Sequence, residues 1–424
     1  MKTKAVRLYG KEDLRLEEFD LPQIKEDEIL ARVVSDSICM STYKAAIQGA
    51  DHKRVPHDVH ENPVIVGHEM AGELVEVGAS YKDRFQAGQK FSIQTAIYYE
   101  DGPLGVLSAP GYTYPYIGGD ATYIIIPKDV LLQDCLLIYD GPGFYPASMA
   151  EPLSCVIGAM HANYHTKPGS YVHQMEIVDG GKMAILAGVG PMGLAAISYV
   201  LNRKDRKPSL LVITDIDQAR LDRAAKIFPV KLAKENGIEL VYLNTGNCDQ
   251  PVKKLKELSG GTGYHDVFAF APVAPVVEQA DAILGFDGCL NFFAGPSDPH
   301  FSAKLNFYNV HYAATHIAGT SGGNKNDMEE ALECMANGLD PAGLITHIGG
   351  LNAVAETTLN LPGIPGGKKL IYTQKSLSLT AIDDFEELGK TNPFFAELAK
   401  LVVKTKGLWN LEAESYLLKN APEI

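Results

Sequence analysis

Met183-Ala184-Ile185-Leu186-Ala187-Gly188-Val189-Gly190-Pro191-Met192-Gly193 is the stretch on which the fold turns. An apolar run enters a G-x-G-x-x-G, and a segment of helical period follows. Such glycines also occur by chance, and a structural turn that binds nothing is the plain alternative. Three features of the context argue for a dinucleotide loop. A strand over Met183–Ala187 leads straight into Gly188. Pro191, with its fixed φ, suits the first turn of a helix over Pro191–Asn202. A second strand over Leu210–Thr214 then ends at Asp215, about twenty residues past the last glycine.

In that reading Gly188 permits the tight turn. Gly190 lets the backbone approach a pyrophosphate at the helix N-terminus, with Pro191 and Met192 completing the loop. Gly193 lets helix and strand pack closely. Asp215 accepts hydrogen bonds from both ribose hydroxyls of NAD and repels the 2′-phosphate of NADP. NAD(H) is therefore expected in preference to NADP(H), while Arg220, one helical turn further on, leaves NADP open.

Outward from this point the pattern continues as β-α alternation. Helices are expected over 218–228, 251–258 and 275–284, and strands over 238–244, 266–271, 289–294 and 316–319. This implies an open parallel sheet with helices on both faces. The first 150 residues instead read as β-rich, with short apolar runs such as Glu28–Val34, Ala71–Val77 and Ala121–Ile126 between turn signals. Tyr98 to Gly119, rich in Tyr, Gly and Pro, reads as a long loop. After a helix over Asp327–Asn337, strands over Leu344–Ile348 and Lys369–Thr373 return to the first domain. The tail carries a helix over Phe394–Val403. The expected fold class is α/β: a Rossmann doubly wound sheet (156–320) and a β-rich catalytic domain built from 1–155 and 321–424.

Composition narrows the partners. The 424 residues suffice for two domains with real cores. A net charge of -14 argues against nucleic acid or an anionic membrane as the main partner, though not against an anionic small substrate. The six cysteines are scattered with no C-x-x-C, so reduced thiols and a cytoplasmic location are expected. The charged beginning lacks the apolar core of a signal peptide. Ala184–Leu201 is long enough for a membrane span, but its glycines and Pro191 fit a buried strand-turn-helix better.

Three short segments carry the remaining chemistry: Ser37-Ile38-Cys39-Met40-Ser41-Thr42, Gly67-His68-Glu69-Met70-Ala71-Gly72 and Ala150-Glu151-Pro152-Leu153-Ser154. Each alone has a bland reading, as a buried thiol, a core histidine or a carboxylate at a helix start. Together, and in this order ahead of the glycine loop, they resemble the zinc-dependent medium-chain dehydrogenases and their polyol branch. Gly118-Gly119-Asp120-Ala121-Thr122-Tyr123 and Leu344-Ile345-Thr346-His347 resemble two further segments of that family.

The resemblance implies a Rossmann domain with a GroES-like catalytic domain, and one catalytic Zn²⁺ per chain. Cys39 and His68 would be zinc ligands, and Glu151 the third ligand or the holder of the zinc-bound water. Glu69 would lie beside the metal as an alternating ligand or orienter, and Ser41 would relay the substrate proton. It also implies a homo-oligomer, dimer or tetramer, with the strand near His316–Gly319 as a pairing edge. Two departures stand out. No cysteine lies between Cys39 and Cys135, so no structural zinc is expected. Met40 replaces the usual glycine and Lys44 a relay histidine, which leaves the proton path beyond Ser41 open.

Further stretches are similar to a narrower group, the bacterial L-sorbose-1-phosphate reductases. They are His52-Lys53-Arg54-Val55-Pro56, Ser108-Ala109-Pro110-Gly111-Tyr112, Ala162-Asn163-Tyr164-His165, Pro365-Gly366-Gly367-Lys368-Lys369 and Ala381-Ile382-Asp383-Asp384-Phe385. This resemblance implies a sugar-phosphate substrate, with Lys44, Lys53 and Arg54 as candidates for its phosphate, Arg54 first. Two other readings remain. One is a threonine or unphosphorylated polyol dehydrogenase. The other is a zinc-free nucleotide-binding protein without catalysis.

Overall fold

The structure is a computed structural model that describes residues 1–424. Its chain forms two compact units. One comprises Met1–Glu151, Asn324–Ala336 and Asp340–Ile424, and the other Pro152–Gly323 with Asn337–Leu339.

The second unit holds six parallel strands, in chain order Lys182–Leu186, Leu210–Asp215, Glu239–Asn244, Tyr264–Ala269, Leu284–Phe292 and His316–Gly319. Counted in that order they lie 3-2-1-4-5-6 across the sheet, the doubly wound Rossmann arrangement. Ala184, Val212, Val267 and Leu290 pack in one core. Ala184–Leu201 is the end of the first strand and the buried helix Pro191–Asn202. No helix of the chain is long and apolar enough to cross a membrane.

The glycine loop differs from its sequence reading in one respect. The left-handed residue of the turn is Ala187, at φ 55°, and not Gly188. Gly188 is needed for space instead, because a Cβ there would lie 2.9 Å from the Ile185 side chain and carbonyl. A Cβ on Gly193 would stand inside the van der Waals shell of the Gly188 carbonyl, so helix and loop meet backbone to backbone.

The first unit is built on Ile29–Ile38, the central strand of an eight-stranded sheet. Ala71–Val77 and Tyr123–Ile126 pair antiparallel with it, and so does Lys368–Tyr372, with Lys369 opposite Ile38. Ile345–Gly350 lies beyond Lys368–Tyr372. Ile29, Ile65, Phe91 and Ile124 form the core of this unit. The central strand is buried almost throughout, and its last turn of sequence, Ser35-Asp36-Ser37, brings three polar side chains inside.

The tail docks on the same unit. Trp409 is fully buried and donates from Nε1 to Tyr372 Oη at 2.8 Å. That hydroxyl in turn donates to Glu414, which also accepts from the amides of Phe144 and Tyr145. The helix Leu411–Asn420 has no counterpart in the sequence reading, and of Ala150–Ala162 only a start at Glu151 was weighed.

Replacing Gly193 by Val should cost about 1–3 kcal/mol of stability by overpacking. It should also abolish dinucleotide binding at concentrations that saturate the parent. Denaturant unfolding and coenzyme titration by fluorescence measure the two effects.

Candidate metal centre

Strand register explains how residues 300 apart in sequence meet. The central strand ends at Ile38, and Cys39 follows as the N-cap of the helix Met40–Gln48. Ala71 pairs with Ser35, so His68 and Glu69, just ahead of it, arrive beside Ser37 and Cys39. Lys369 pairs with Ile38, which sets Lys368 at the same end of the sheet.

One ligand atom each from Cys39, His68 and Glu69 lies within 4.8 Å of the others. Zinc bonds of about 2.0–2.3 Å suit atoms so spaced, and thiolate, imidazole and carboxylate are a catalytic donor set. His68 is oriented from behind, with Nδ1 3.1 Å from Thr42 Oγ1. Its Nε2 faces the cluster, 3.1 Å from Ser41 Oγ and 3.4 Å from Tyr112 Oη. Such a partner on the far nitrogen is how metal-binding imidazoles are held. Ser41 Oγ also donates to Cys39 Sγ at 3.1 Å.

The carboxylate in this group is that of Glu69, with Glu151 outside it. Glu69 is 1% exposed, pairs with Lys368 Nζ through one oxygen and accepts from Ser37 Oγ through the other. Its amide donates to Asp36 Oδ1 at 2.8 Å. Glu151 sits in the first turn of Ala150–Ala162. Burial pushes its carboxyl up to about 7; His68 opposes the shift, and Glu69 and Cys39 add to it. Its charge is therefore felt at the cluster.

Burial also raises the Cys39 thiol, against the pull of Lys368. Burial works against the Lys368 charge as well, yet Glu69 and Cys39 hold its ammonium above the usual range. A divalent ion would reverse this logic for the thiol and deprotonate it.

Three residues of the site went unassigned in the sequence. Lys368 was visible only as part of a Gly-Gly-Lys-Lys ending. Asp36 and Asp120 lie behind the ligand turn, and Asp36 Oδ2 and both Asp120 oxygens are buried without hydrogen-bond partners. The polar triplet Ser35-Asp36-Ser37, set between Val34 and Ile38, was the available signal. A fourth, Tyr112, was quoted without a role.

The charges of the basic residues singled out in sequence are felt at one imidazole. Burial lowers His52 to about 4, and Arg54, Lys53 and Lys44 add to the shift in that order. The His52 ring stacks on Tyr112 at 5.8 Å, and Tyr112 tilts against His68 at 5.0 Å. Arg54 is half-buried, while Lys53 is exposed.

In the other unit, Gly190 caps the helix Pro191–Asn202 and no side chain occupies the helix's free amides. Asp215 is buried, with Oδ1 fixed by the amides of Ile216 and Asp217 at 2.9 and 3.2 Å. The Arg220 guanidinium reaches to 3.4 Å from where a Cβ on Gly190 would lie. All six cysteines are free thiols.

The comparisons agree with this geometry. Residues 25–135 match the model of the alcohol dehydrogenase GroES-like domain and residues 211–337 that of the zinc-binding dehydrogenases. The chain is 51% identical over 418 residues to mannitol-1-phosphate 5-dehydrogenase of Aliivibrio fischeri, covering 98% of this chain and 97% of that protein. It is 48% identical over 423 residues to L-sorbose 1-phosphate reductase of Klebsiella pneumoniae, covering 100% and 98%. Among solved structures, 2R,3R-butanediol dehydrogenase of Bacillus subtilis superposes with a TM-score of 0.69 at 19% identity, over 88% of this chain and 99% of that one. The protein belongs to the zinc-dependent medium-chain dehydrogenase/reductase family. It is an NAD(P)-linked oxidoreductase with a Cys-His-Glu metal site.

Removing Lys368 should leave Glu69 buried and uncompensated. Lys368→Met should cost about 3–5 kcal/mol in the metal-free chain, and the double variant with Glu69→Gln should recover most of it. Denaturant unfolding of the four proteins measures the coupling.

Proposed function

We propose that this chain is an NAD(H)-linked reductase of ketose phosphates, converting L-sorbose 1-phosphate to D-glucitol 6-phosphate. The observation that carries the proposal is one run of rings. His68 of the metal cluster touches Tyr112, Tyr112 stacks on His52, and the charges of Arg54, Lys53 and Lys44 are felt at His52. A Lewis-acid site and a cationic patch separated by two aromatic contacts suit a substrate with a carbonyl and a phosphate. The similarity to a relative named for L-sorbose 1-phosphate reduction supports the same substrate class.

Zinc held by Cys39 and His68 supplies Lewis-acid polarisation of the carbonyl, and the nicotinamide supplies the hydride. The residues do the rest. Cys39, His68 and a carboxylate from Glu69 or Glu151 hold the ion. Ser41 Oγ, within reach of Cys39 Sγ and His68 Nε2, relays a proton that comes from solvent to the carbonyl oxygen as it becomes a hydroxyl, taking one up as it gives one. Lys368 pairs with Glu69 and holds it in place, and Arg54 binds the phosphate, with Lys44 as a second candidate. In the nucleotide unit, Gly188, Gly190, Pro191, Met192 and Gly193 cradle the pyrophosphate, and Asp215 selects the ribose of NAD. A homo-oligomer through the sheet edge His316–Gly319, paired on one side only, is part of this reading.

A second substrate has a specific observation in its favour, since the mannitol-1-phosphate relative is at least as similar. The deciding experiment is a panel of L-sorbose 1-phosphate, D-glucitol 6-phosphate, mannitol 1-phosphate, sorbitol, threonine and butanediol with each coenzyme. Sorbose 1-phosphate with NADH, and D-glucitol 6-phosphate with NAD in the reverse direction, are expected to show a kcat/KM at least tenfold above the other substrates, and a preference for mannitol 1-phosphate or for any unphosphorylated substrate would refute the proposal. Cys39→Ser should lose both bound zinc and turnover. Arg54→Ala should raise KM for the phosphorylated substrate about tenfold, the scale of one charge-assisted hydrogen bond, and leave zinc content unchanged.

A further inference from the structure

The loop from Tyr98 to Gly119 delivers a side chain to the metal cluster, and several buried contacts keep it there. Thr113 Oγ1 donates to the Arg54 carbonyl at 2.8 Å, and Ser108 Oγ accepts from the Leu104 amide at 2.8 Å. Tyr114 Oη donates to Asp129 at 2.8 Å. Gly111, at φ +80°, lies so close to the Gly67 carbonyl that no Cβ fits, and a Cβ there would also be 3.1 Å from that of His68. Tyr112 follows directly. It is 6% exposed, its ring lies between His52 and His68, and its hydroxyl points at the metal-facing nitrogen of His68.

That hydroxyl poses an accounting problem. A buried phenol needs a partner, and at neutral pH it is a donor. Its neighbours in the structure are His68 Nε2 at 3.4 Å and the Ser41 hydroxyl. A metal on Nε2 takes up the lone pair to which the phenol could donate. Two acceptors are then within its reach: Ser41 Oγ, whose own proton goes to Cys39 Sγ, and an oxygen bound at the metal.

We propose that Tyr112 is a further substrate-contacting residue, whose phenol donates a hydrogen bond to the substrate oxygen held at the Cys39–His68 metal. The inference rests on reading that cluster as the metal site. Ser41 and Tyr112 then face one oxygen from two sides. Ser41 moves the proton, and Tyr112 stabilises the negative charge that develops as the carbonyl is reduced.

Tyr112→Phe keeps the ring between the two histidines and removes only the donor. The variant should bind one zinc per chain, with an unchanged circular dichroism spectrum and NADH affinity. Its kcat for L-sorbose 1-phosphate should fall 10- to 100-fold. Calorimetric binding of D-glucitol 6-phosphate to the zinc-loaded, coenzyme-free protein should weaken about tenfold, the scale of losing one such donor. Turnover and binding within twofold of the parent would overturn the proposal. So would loss of zinc or of folding, because the hydroxyl would then serve His68 or the loop and not the substrate. Failure of the underlying reading shows separately, as a parent chain that holds no zinc or keeps full activity after chelation.

Discussion

The ion pair between Lys368 and Glu69 is the interaction on which the metal site depends. The central strand Ile29–Ile38 and the turn after Ile65 bring Asp36, Cys39, Glu69, Asp120 and Glu151 into one small region, largely out of water. The one ammonium buried among them is that of Lys368, delivered by antiparallel pairing of its strand with the central one. Burial is the largest cause pushing the carboxyls of Asp120 and Glu151 up to about 7, and the Glu69 charge adds to both shifts. Lys368 is the ion-pair partner of Glu69, so removing it would leave a buried carboxylate without its cation. Residues that repel one another when unliganded suit a divalent ion, because the ion supplies the missing positive charge at the point where their lone pairs converge.

What the sequence disclosed and what it hid divide along the range of the contacts involved. The helices Pro191–Asn202 and Pro251–Leu258 and the strand His316–Gly319 fall where local period and punctuation put them. Each of these elements is decided by neighbours within a few residues. The glycine loop was legible in its role but not in its detail, since the strained φ passed to Ala187 while Gly188 and Gly193 were required by close approach. Cys39, His68 and Glu69 were legible only as a constellation. Lys368 and Asp36 were not, because their significance comes from register between strands far apart in the chain, which no local pattern encodes. The helix Ala150–Ala162 escaped for a different reason. It is apolar on most of its surface, so it lacks the one-sided stripe by which an amphipathic helix is recognised.

The interval before Asp120 contains no cysteine, and hydroxyls and glycines fix it. Ser108, Thr113 and Tyr114 are buried and hydrogen-bonded, and Gly111 locks the loop against Gly67. A loop held by several short contacts loses its conformational freedom on folding and not on substrate binding, so the side chains it presents are already placed.

That rigidity also bears on substrate choice. Thr113 binds the Arg54 carbonyl, so the basic segment and the loop that carries Tyr112 are tied together. The spacing between metal and cations is consequently a property of the fold, and flexible side chains can change it only by their own length. In L-sorbose 1-phosphate the carbonyl and the phosphate sit on adjacent carbons, and in a mannitol 1-phosphate oxidised at carbon 5 the reacting carbon and the phosphate-bearing one are four carbons apart, so one fixed spacing does not suit both equally.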